Sequence, residues 1–384
     1  MNRNGWTYKK LGEVAEIISG STPKTNIKEY WGGEHYWVTP AEIGSTIYIE
    51  RTERTITEEA IHNSNLTLLP EGTVLLSSRA PIGKLAITKV PMYCNQGFKN
   101  IVCSEALNNK YVYYYIGNIV PYIQSLGRGA TFKEVSKRIV ENISIAFPSK
   151  EIQAQIVQEL DSLNDSITML QQQVKDLDSL AQSLFYDMFG DTVTNPKGFP
   201  LKKICEVGTV ITGNTPSTKD SENYSSNDYC FVKPSDISKE GVADIQTSEF
   251  FISKKAYSNS RQLPKCSVLT TCIGIIGKVG ILRKTATCNQ QINAIVPNSD
   301  ISSIYLAYAI LGLRDVLEAM ANAPVVPIIN KGVFSMLQIP LPPLSLQHSF
   351  ATKMASIEES KASLKAQITE MQNLLASRMQ FWFD

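Results

Sequence analysis

The sequence contains no run of about 18 consecutive apolar residues, so no segment is long enough to cross a membrane as a helix. No apolar h-region follows Met1-Asn2-Arg3-Asn4-Gly5-Trp6, and no secretory signal is expected. Cysteines are few and scattered: Cys94, Cys103, Cys205, Cys230, Cys266, Cys272 and Cys288 are odd in number and never spaced C-x-x-C. That excludes a disulfide framework and points to reduced thiols in a cytoplasmic protein, mostly buried as small hydrophobes. The only histidines, His35, His62 and His348, lie far apart without metal-ligand spacing, and no metal is expected. Motifs for chemistry are missing as well. No Asn-Pro-Pro-Tyr-like methyltransferase motif is present, and Asn195-Pro196-Lys197-Gly198 reads as a turn. Gly274-Ile275-Ile276-Gly277-Lys278-Val279-Gly280 fails as a phosphate loop, because Val279 cannot ligate magnesium. Its counterpart around Gly83-Lys84 fails too, and both predict strand–turn–strand. Ser77 and Ser78 lack a G-x-S-x-G elbow, so no catalytic residue is assigned.

What is present is ordinary globular composition, 43% hydrophobic and 19% charged, over 384 residues, enough for two or three domains. The dominant signal is internal repetition. Gly5-Trp6-Thr7-Tyr8-Lys9-Lys10-Leu11 returns as Gly198-Phe199-Pro200-Leu201-Lys202-Lys203-Ile204, and Ile18-Ser19-Gly20-Ser21-Thr22-Pro23 as Ile211-Thr212-Gly213-Asn214-Thr215-Pro216. The offset of 193 slips to 194 at Val38-Thr39-Pro40-Ala41-Glu42-Ile43, matched by Val232-Lys233-Pro234-Ser235-Asp236-Ile237. It then holds for Pro70, Val74, Gly83 and Lys84 against Pro264, Val268, Gly277 and Lys278. It holds again for Cys94-Asn95-Gln96 against Cys288-Asn289-Gln290, and for Pro148 and Gln153 against Pro342 and Gln347. One register over most of the chain means two copies of one unit.

Each copy has a mixed part and a helical part. Thr73-Val74-Leu75-Leu76 and Ser267-Val268-Leu269-Thr270, bounded by Pro and Gly, predict strands; Tyr111–Ile123 and Ile304–Ala319 predict helices. Beyond them, apolar positions recur at Ile156, Leu160, Leu163, Ile167, Leu170, Val174, Leu177, Ala181, Leu184 and Met188, alternating steps of four and three. The second copy repeats the register at Phe350, Met354, Ile357, Lys361, Leu364, Ile368, Met371, Leu375, Arg378 and Trp382, with only Lys361 and Arg378 departing. A sustained heptad predicts a coiled-coil seam rather than two separate surface helices. The first helix, over about residues 152–189, would be roughly 57 Å long. Antiparallel pairing would put the two mixed parts at opposite ends of a rod. The expected fold is therefore α+β: two similar mixed α/β domains joined by a long antiparallel two-helix coiled coil, with a pseudo-two-fold internal repeat. The expected boundaries are 1–150, 151–195, 196–343 and 344–384.

A near-neutral total, net +1, hides an uneven distribution. Residues 1–150 and 196–343 each carry net +4, residues 151–195 carry −7, and residues 344–384 are neutral. Net +4 alone does not establish nucleic-acid binding. The acidic helix is expected to face solvent or a protein partner, through charges such as Glu159, Asp165 and Asp176, rather than phosphates.

The duplicated order of motifs resembles the specificity subunit of type I restriction-modification systems. The resemblance is carried by Ser19-Gly20-Ser21-Thr22-Pro23 with Thr212-Gly213-Asn214-Thr215-Pro216, and by the Asn-Gln pairs at 95–96 and 289–290. It is carried also by Ile339-Pro340-Leu341-Pro342-Pro343 leading into a heptad helix, and by Ser183-Leu184-Phe185-Tyr186-Asp187-Met188-Phe189-Gly190 closing the first helix. Where the family usually has Glu-Gln at the helix starts, this chain has Ile152-Gln153 and Leu346-Gln347. The resemblance implies two target-recognition domains, each reading half of a split double-stranded DNA site, with the helices as spacers. It implies docking of methyltransferase subunits, two of them, and restriction/translocase subunits further out. S-adenosylmethionine, ATP and magnesium would belong to those partners, with no cofactor, no catalysis and no membrane for this chain.

Phosphate contact needs Lys, Arg and small hydroxyls on loops, and base readout needs directed donors and acceptors. These criteria select Ser21, Thr22, Lys24, Ser78, Arg79, Asn95, Gln96, Lys99, Arg128, Thr131 and Lys133 in the first domain. In the second they select Asn214, Thr215, Ser217, Lys219, Lys233, Asn289, Gln290, Gln291 and Lys331. For each, the alternative is a solvated loop residue or turn-maker. The Asn-Gln pairs, kept in both copies, could hold the fold while differing neighbours read the bases. Two other classes remain: an adaptor with two ligand-binding domains on a coiled-coil spacer, and a nuclease or methyltransferase active by itself. Salt-sensitive DNA binding argues against the first, and inactivity of the isolated chain against the second.

Overall fold

The computed structural model describes residues 5–79, 81–128, 133–321 and 327–384. The chain divides into two compact units, Met1–Met169 with Ile368–Asp384, and Leu170–Gln367. Each unit therefore holds one mixed part together with half of each long helix.

The first unit carries a five-stranded sheet in the order Ala15–Ser19, Lys99–Cys103, Val74–Leu76, Leu85–Thr88, Tyr48–Ile49. The first four strands are antiparallel and Tyr48–Ile49 joins parallel to Leu85–Thr88. A three-stranded sheet follows, with Trp31–Val38 between Thr55–Ile56 and Tyr93–Cys94, and Thr7–Lys10 pairs with Ser144–Phe147. The second unit repeats this topology strand for strand, its five-stranded sheet running Gly208–Thr212, Ile292–Pro297, Val268–Thr271, Val279–Leu282, Val242–Ile245. The central strands are buried on both faces and mostly apolar, with only the threonines Thr88, Thr270 and Thr271 interrupting them, which is why they read as continuous runs rather than as alternating patterns. The Gly-Lys segments are hairpin turns, as their sequence predicts. Gly83 and Gly277 take positive φ (102° and 76°), and the lysines behind them reach back to the carbonyls of Pro40 and Pro234, each at 2.9 Å.

Helices cover the five-stranded sheets. The stretch predicted as one helix over 111–123 is two, Asn109–Asn118 and Val120–Ser125, because Pro121 fits only in a first turn. The stretch predicted over 304–319 likewise breaks after Leu311, where Gly312 ends the first of two helices. Tyr111 and Tyr305 are fully buried beneath the sheets, and their hydroxyls donate to the carbonyls of Ala146 (2.6 Å) and Pro340 (2.7 Å).

The long helices span Lys150–Phe189 and Leu344–Phe383, 40 residues each. Every seam position named from the heptad is buried or half-buried. In the second unit the pairing direction is antiparallel: Asp178 meets Lys361, and eleven residues on, Phe189 meets Phe350. Each helix start is fixed by a buried glutamine. Gln153 donates to Pro148 O (2.9 Å) and Ala106 O (3.0 Å) and accepts from Asn108 N (2.8 Å). Gln347 donates to Pro342 O (2.9 Å) and accepts from Ser302 N (2.8 Å). The Ser183–Gly190 motif is a packing device: Phe185 and Phe189 are buried against Tyr305 and Phe350, and Gly190 ends the helix at φ +77°.

Both departures from the seam are ion pairs. Lys361, 6% exposed, lies 2.8 Å from Asp178 and 2.8 Å from Glu358. The Arg378 guanidinium grips Glu159, whose other oxygen accepts from Trp382 Nε1 at 3.0 Å. The hydrogen bond from Arg378 holds the Glu159 carboxyl below the usual carboxylate range. Glu159 is therefore a structural partner inside the unit, which corrects its reading as a free surface charge. Asp165 and Asp176 are exposed.

Candidate nucleic-acid interface

In the first unit the strand Val74–Leu76 continues into Ser77–Arg79, and this extension organises a polar rim. On one side Ser78 N donates to Gly97 O at 2.7 Å. On the other, Val135 N donates to Ser78 O at 3.0 Å and Arg79 forms an antiparallel bridge with Glu134. Glu134 also bridges Arg128, exchanging backbone bonds of 3.0 and 2.9 Å. The rim therefore runs through Gln96, Arg79, Glu134 and Arg128, neighbours across successive strips though distant in sequence. At its other end the Thr22 hydroxyl donates to Gln96 Oε1, and Ser21 N donates to Cys94 O (3.0 Å). This explains the Ser19–Pro23 motif: a Cβ on Gly20 would stand 1.9 Å from Asn95 O, so only glycine allows the approach. Gly213 is in the same position, 2.2 Å from Asn289 O.

Gln96, Arg128, Lys133 and Lys24 are exposed; Ser21, Thr22, Arg79 and Asn95 are half-buried. Thr131 lies outside the described residues. Two selected residues sit inside. Ser78 is fully buried, and Lys99, 7% exposed, is held by Glu134 (3.4 Å), Ser78 Oγ (3.4 Å) and Phe98 O (3.3 Å). A buried ammonium needs such partners, and these absorb its donors. Both residues support the rim from below and leave the candidate contact set.

The Asn-Gln pairs divide their roles. Asn95 Oδ1 accepts from Gly97 N (2.8 Å) while Asn95 N donates to Val38 O (3.1 Å). Asn289, 7% exposed, does the same with Gln291 N (3.1 Å) and Val232 O (3.1 Å), and its amide nitrogen donates to Gln291 Oε1 (2.8 Å). The asparagines shape the turn. The glutamines, Gln96 and Gln290, are exposed and bond Thr22 and Thr215.

The second unit repeats the rim with different side chains. Cys272 N donates to Gln291 O (2.7 Å), Ile329 N donates to Cys272 O (2.8 Å), and Ile273 bridges Ile328. Thr215, Ser217, Lys219, Gln290 and Lys331 are exposed. Asn214 Oδ1 accepts from Arg261 N (2.8 Å), and Arg261 Nη1 donates to Thr212 O (2.7 Å). Lys233 stacks over Phe250, 3.1 Å from the ring centre, which ties its charge to an aromatic neighbour. Composition did not single out Glu134, Arg261, Ile273 or Ile328. The repeat register could have found Ile273, which stands at offset 194 from the selected Arg79; it also sets Ile328 against Glu134, but neither of these had been selected.

Among the described residues no cluster of His, Cys, Asp and Glu is arranged to hold a metal ion. The thiols behind the rims are held protonated: burial pushes Cys94 and Cys288 up to about 12, far above neutral pH. No helix of the described residues is long and apolar enough to cross a membrane.

Two copies of one α+β unit, each with a loop rim at the end of its main sheet and each tied to paired helices, define a tandem specificity-domain architecture. The family described as the type I restriction modification DNA specificity domain matches residues 3–177 and again 196–371, and the chain belongs to it. Among curated relatives, the type I restriction enzyme MjaIX specificity subunit of Methanocaldococcus jannaschii is 42% identical over 148 residues, 38% of this chain and 34% of that protein. The HindI specificity subunit of Haemophilus influenzae is 27% identical over 190 residues, 48% of this chain and 41% of that protein. The chain thus matches about a third to two fifths of the length of these relatives. In fold it is similar to a structure from work on complex assembly and conformational transition of the type I R-M system, with TM-score 0.62 and 19% identity over 99% of this chain and 97% of that one. It is similar also to the type I restriction-modification S subunit from M. genitalium, with TM-score 0.53 and 13% identity over 97% of this chain and 95% of that one.

Proposed function

We propose that this chain is the non-catalytic, sequence-reading subunit of a type I restriction-modification complex. Each unit reads one half of a bipartite duplex target through its rim, and the paired helices set the unread gap. Two methyltransferase subunits dock on the chain and carry S-adenosylmethionine; restriction/translocase subunits, with ATP and magnesium, join through them. The working compartment is the cytoplasm. The observation that carries this reading is the duplicated rim. The same backbone frame occurs twice with different exposed side chains, as two different half-sites require.

Assembled with its methyltransferase partner, the chain is expected to bind a duplex with two fixed half-sites and to lose affinity steeply with salt. In Arg79→Ala/Arg128→Ala/Lys133→Ala, each lost phosphate contact should flatten the salt slope by about one, and each lost base contact should relax one position by about 1–3 kcal/mol. A folded triple variant with normal affinity, slope and site preference would remove this rim from the interface. The purified chain alone, given duplex, magnesium, ATP and S-adenosylmethionine, should neither methylate nor cut. Robust turnover that survives removal of contaminating partners would overturn the non-catalytic reading.

Docking of the methyltransferase is proposed on the acidic first helix outside the seam. Asp165→Lys/Asp176→Lys should weaken subunit assembly while leaving the melting temperature of the chain nearly unchanged, since exposed charges contribute little to stability. Unaltered assembly, measured by size-exclusion chromatography over a titration of partner, would place docking elsewhere.

A further inference from the structure

The bridge at the centre of each rim is the same backbone device with opposite chemistry: Arg79 opposite Glu134 in the first unit, Ile273 opposite Ile328 in the second. We propose that this bridged pair is the base-reading element of each unit, Arg79–Glu134 reading a G·C pair and Ile273–Ile328 the methyl group of thymine. The inference rests on the DNA-reading function proposed above and goes beyond it to the residues and base classes.

Residues facing each other across an antiparallel bridge project to the same side of the sheet with Cβ atoms about 5 Å apart, so each pair presents one joint surface. A carboxylate on a rim that meets DNA is repelled by every phosphate. Glu134 nonetheless stands between Arg79 and Arg128 with its side chain 42% exposed, and only one carboxylate oxygen is engaged by Lys99. In the major groove an acceptor of this kind is satisfied by the amino group of cytosine, while arginine pairs bidentately with O6 and N7 of guanine. Arg79 and Glu134 together match the two halves of one G·C pair. The geometry excludes the same reading in the second unit. Ile273 and Ile328 offer neither donor nor charge, Ile328 is 51% exposed, and Ile275 beside them is 56% exposed. The apolar group that a base edge presents in the major groove is the thymine methyl. An isoleucine pair, Ile328 exposed and Ile273 half-buried, at the position where the other copy carries Arg and Glu therefore fits T·A at the corresponding step.

The test is to select binding sites from random duplexes with the chain assembled with its methyltransferase partner. Wild type should fix a G·C pair in one half-site and a T·A pair at the corresponding position of the other. Arg79→Ile/Glu134→Ile, which installs the second unit's pair in the first, should lower the preference for that G·C pair about ten- to a hundredfold and shift it toward T·A. The other half-site should be unchanged, which also reports that the complex is folded. Ile273→Arg/Ile328→Glu should do the reverse in the second half-site. Arg79→Lys keeps the charge without the planar fork, and serves if the double exchange does not fold. It should lose guanine preference while retaining the salt slope. A folded exchange variant that selects the original bases at every position would overturn the proposal. So would an Arg79→Lys variant that weakens binding equally on all sequences, which would make Arg79 a phosphate contact. A wild-type complex that selects no fixed bases would instead overturn the DNA-reading function itself, whereas unaltered selection by the exchange variants leaves that function standing.

Discussion

One heptad added to each of the two 40-residue helices is expected to leave both half-sites unchanged and to widen the unread gap between them by about three base pairs. Seven residues lengthen a helix by about 10 Å at 1.5 Å per residue, and a matched insertion keeps every seam position facing its partner. Duplex DNA rises about 3.4 Å per base pair, hence the three. Those base pairs also rotate the second half-site by about a quarter turn or more, at about 10–10.5 base pairs per turn. Affinity should fall even on the best new target unless the added helical turns or the DNA compensate. An insertion in one helix only should shift the seam by a heptad against its partner and separate Asp178 from Lys361, so that variant is expected to fold poorly. Site selection with the doubly extended protein, in complex with its methyltransferase partner, measures the gap directly. A folded, tightly binding variant that keeps the original gap would show that the helices do not set it.

The helices were the most legible part of the sequence because a heptad is a local and redundant signal. Twenty positions in two copies had to agree, and the two that did not, Lys361 and Arg378, turned out to be satisfied by carboxylates on the facing helix. The mixed parts were legible as strands and turns wherever glycine or proline punctuated an apolar run, as at Gly83-Lys84 and Gly277-Lys278. They were less legible where a helix changes direction. Pro121 and Gly312 stand inside apolar patterns that read as continuous; Pro121 alone signals a break, since proline fits only in a first turn, whereas glycine is tolerated inside a helix and Gly312 gives no such signal.

The rim was legible only in outline. Selecting polar loop residues found Arg79, Gln96, Arg128 and Thr22, which the fold brings together although more than 100 positions separate the ends of the set. The same selection also took Ser78, Lys99 and Asn289, whose burial is a property of strand pairing and cannot be read from residue type. It passed over Ile273 and Ile328 because apolar residues are assigned to the core by default. Their meaning comes from comparison between copies, where backbone bonding is the same and side-chain chemistry is not.

Asp178→Ala is expected to destabilise the second unit by about 3 kcal/mol, near the lower end of what breaking a buried ion pair costs. The reason is Lys361. Its ammonium occupies a seam position at 6% exposure, between Asp178 and Glu358 at 2.8 Å each. Removing Asp178 leaves a buried cation with one partner, and the 20% exposure of the Asp178 side chain, through which water can reach the vacated position, keeps the cost from reaching the upper end of the range. Lys361→Leu/Asp178→Ala removes the charge together with its main partner and restores an apolar seam, so it should be neutral or stabilising by about 1–4 kcal/mol. The pair also makes a pH prediction. Burial lowers the Lys361 pKa, but the hydrogen bonds to Asp178 and Glu358 outweigh it and the net shift is upward. A cation whose pKa is raised on folding contributes stability that is fully present below its unfolded value and lost as pH rises through the folded one. Wild type should therefore lose stability on the alkaline side of the usual lysine range, and the apolar double variant should lose less. Urea unfolding of the wild type, both single variants and the double variant, at neutral and alkaline pH, gives the coupling directly. A cost below about 0.5 kcal/mol for Asp178→Ala, within the range of ordinary surface substitutions, would mean that the ammonium finds solvent and that the seam tolerates Lys361 without its partner.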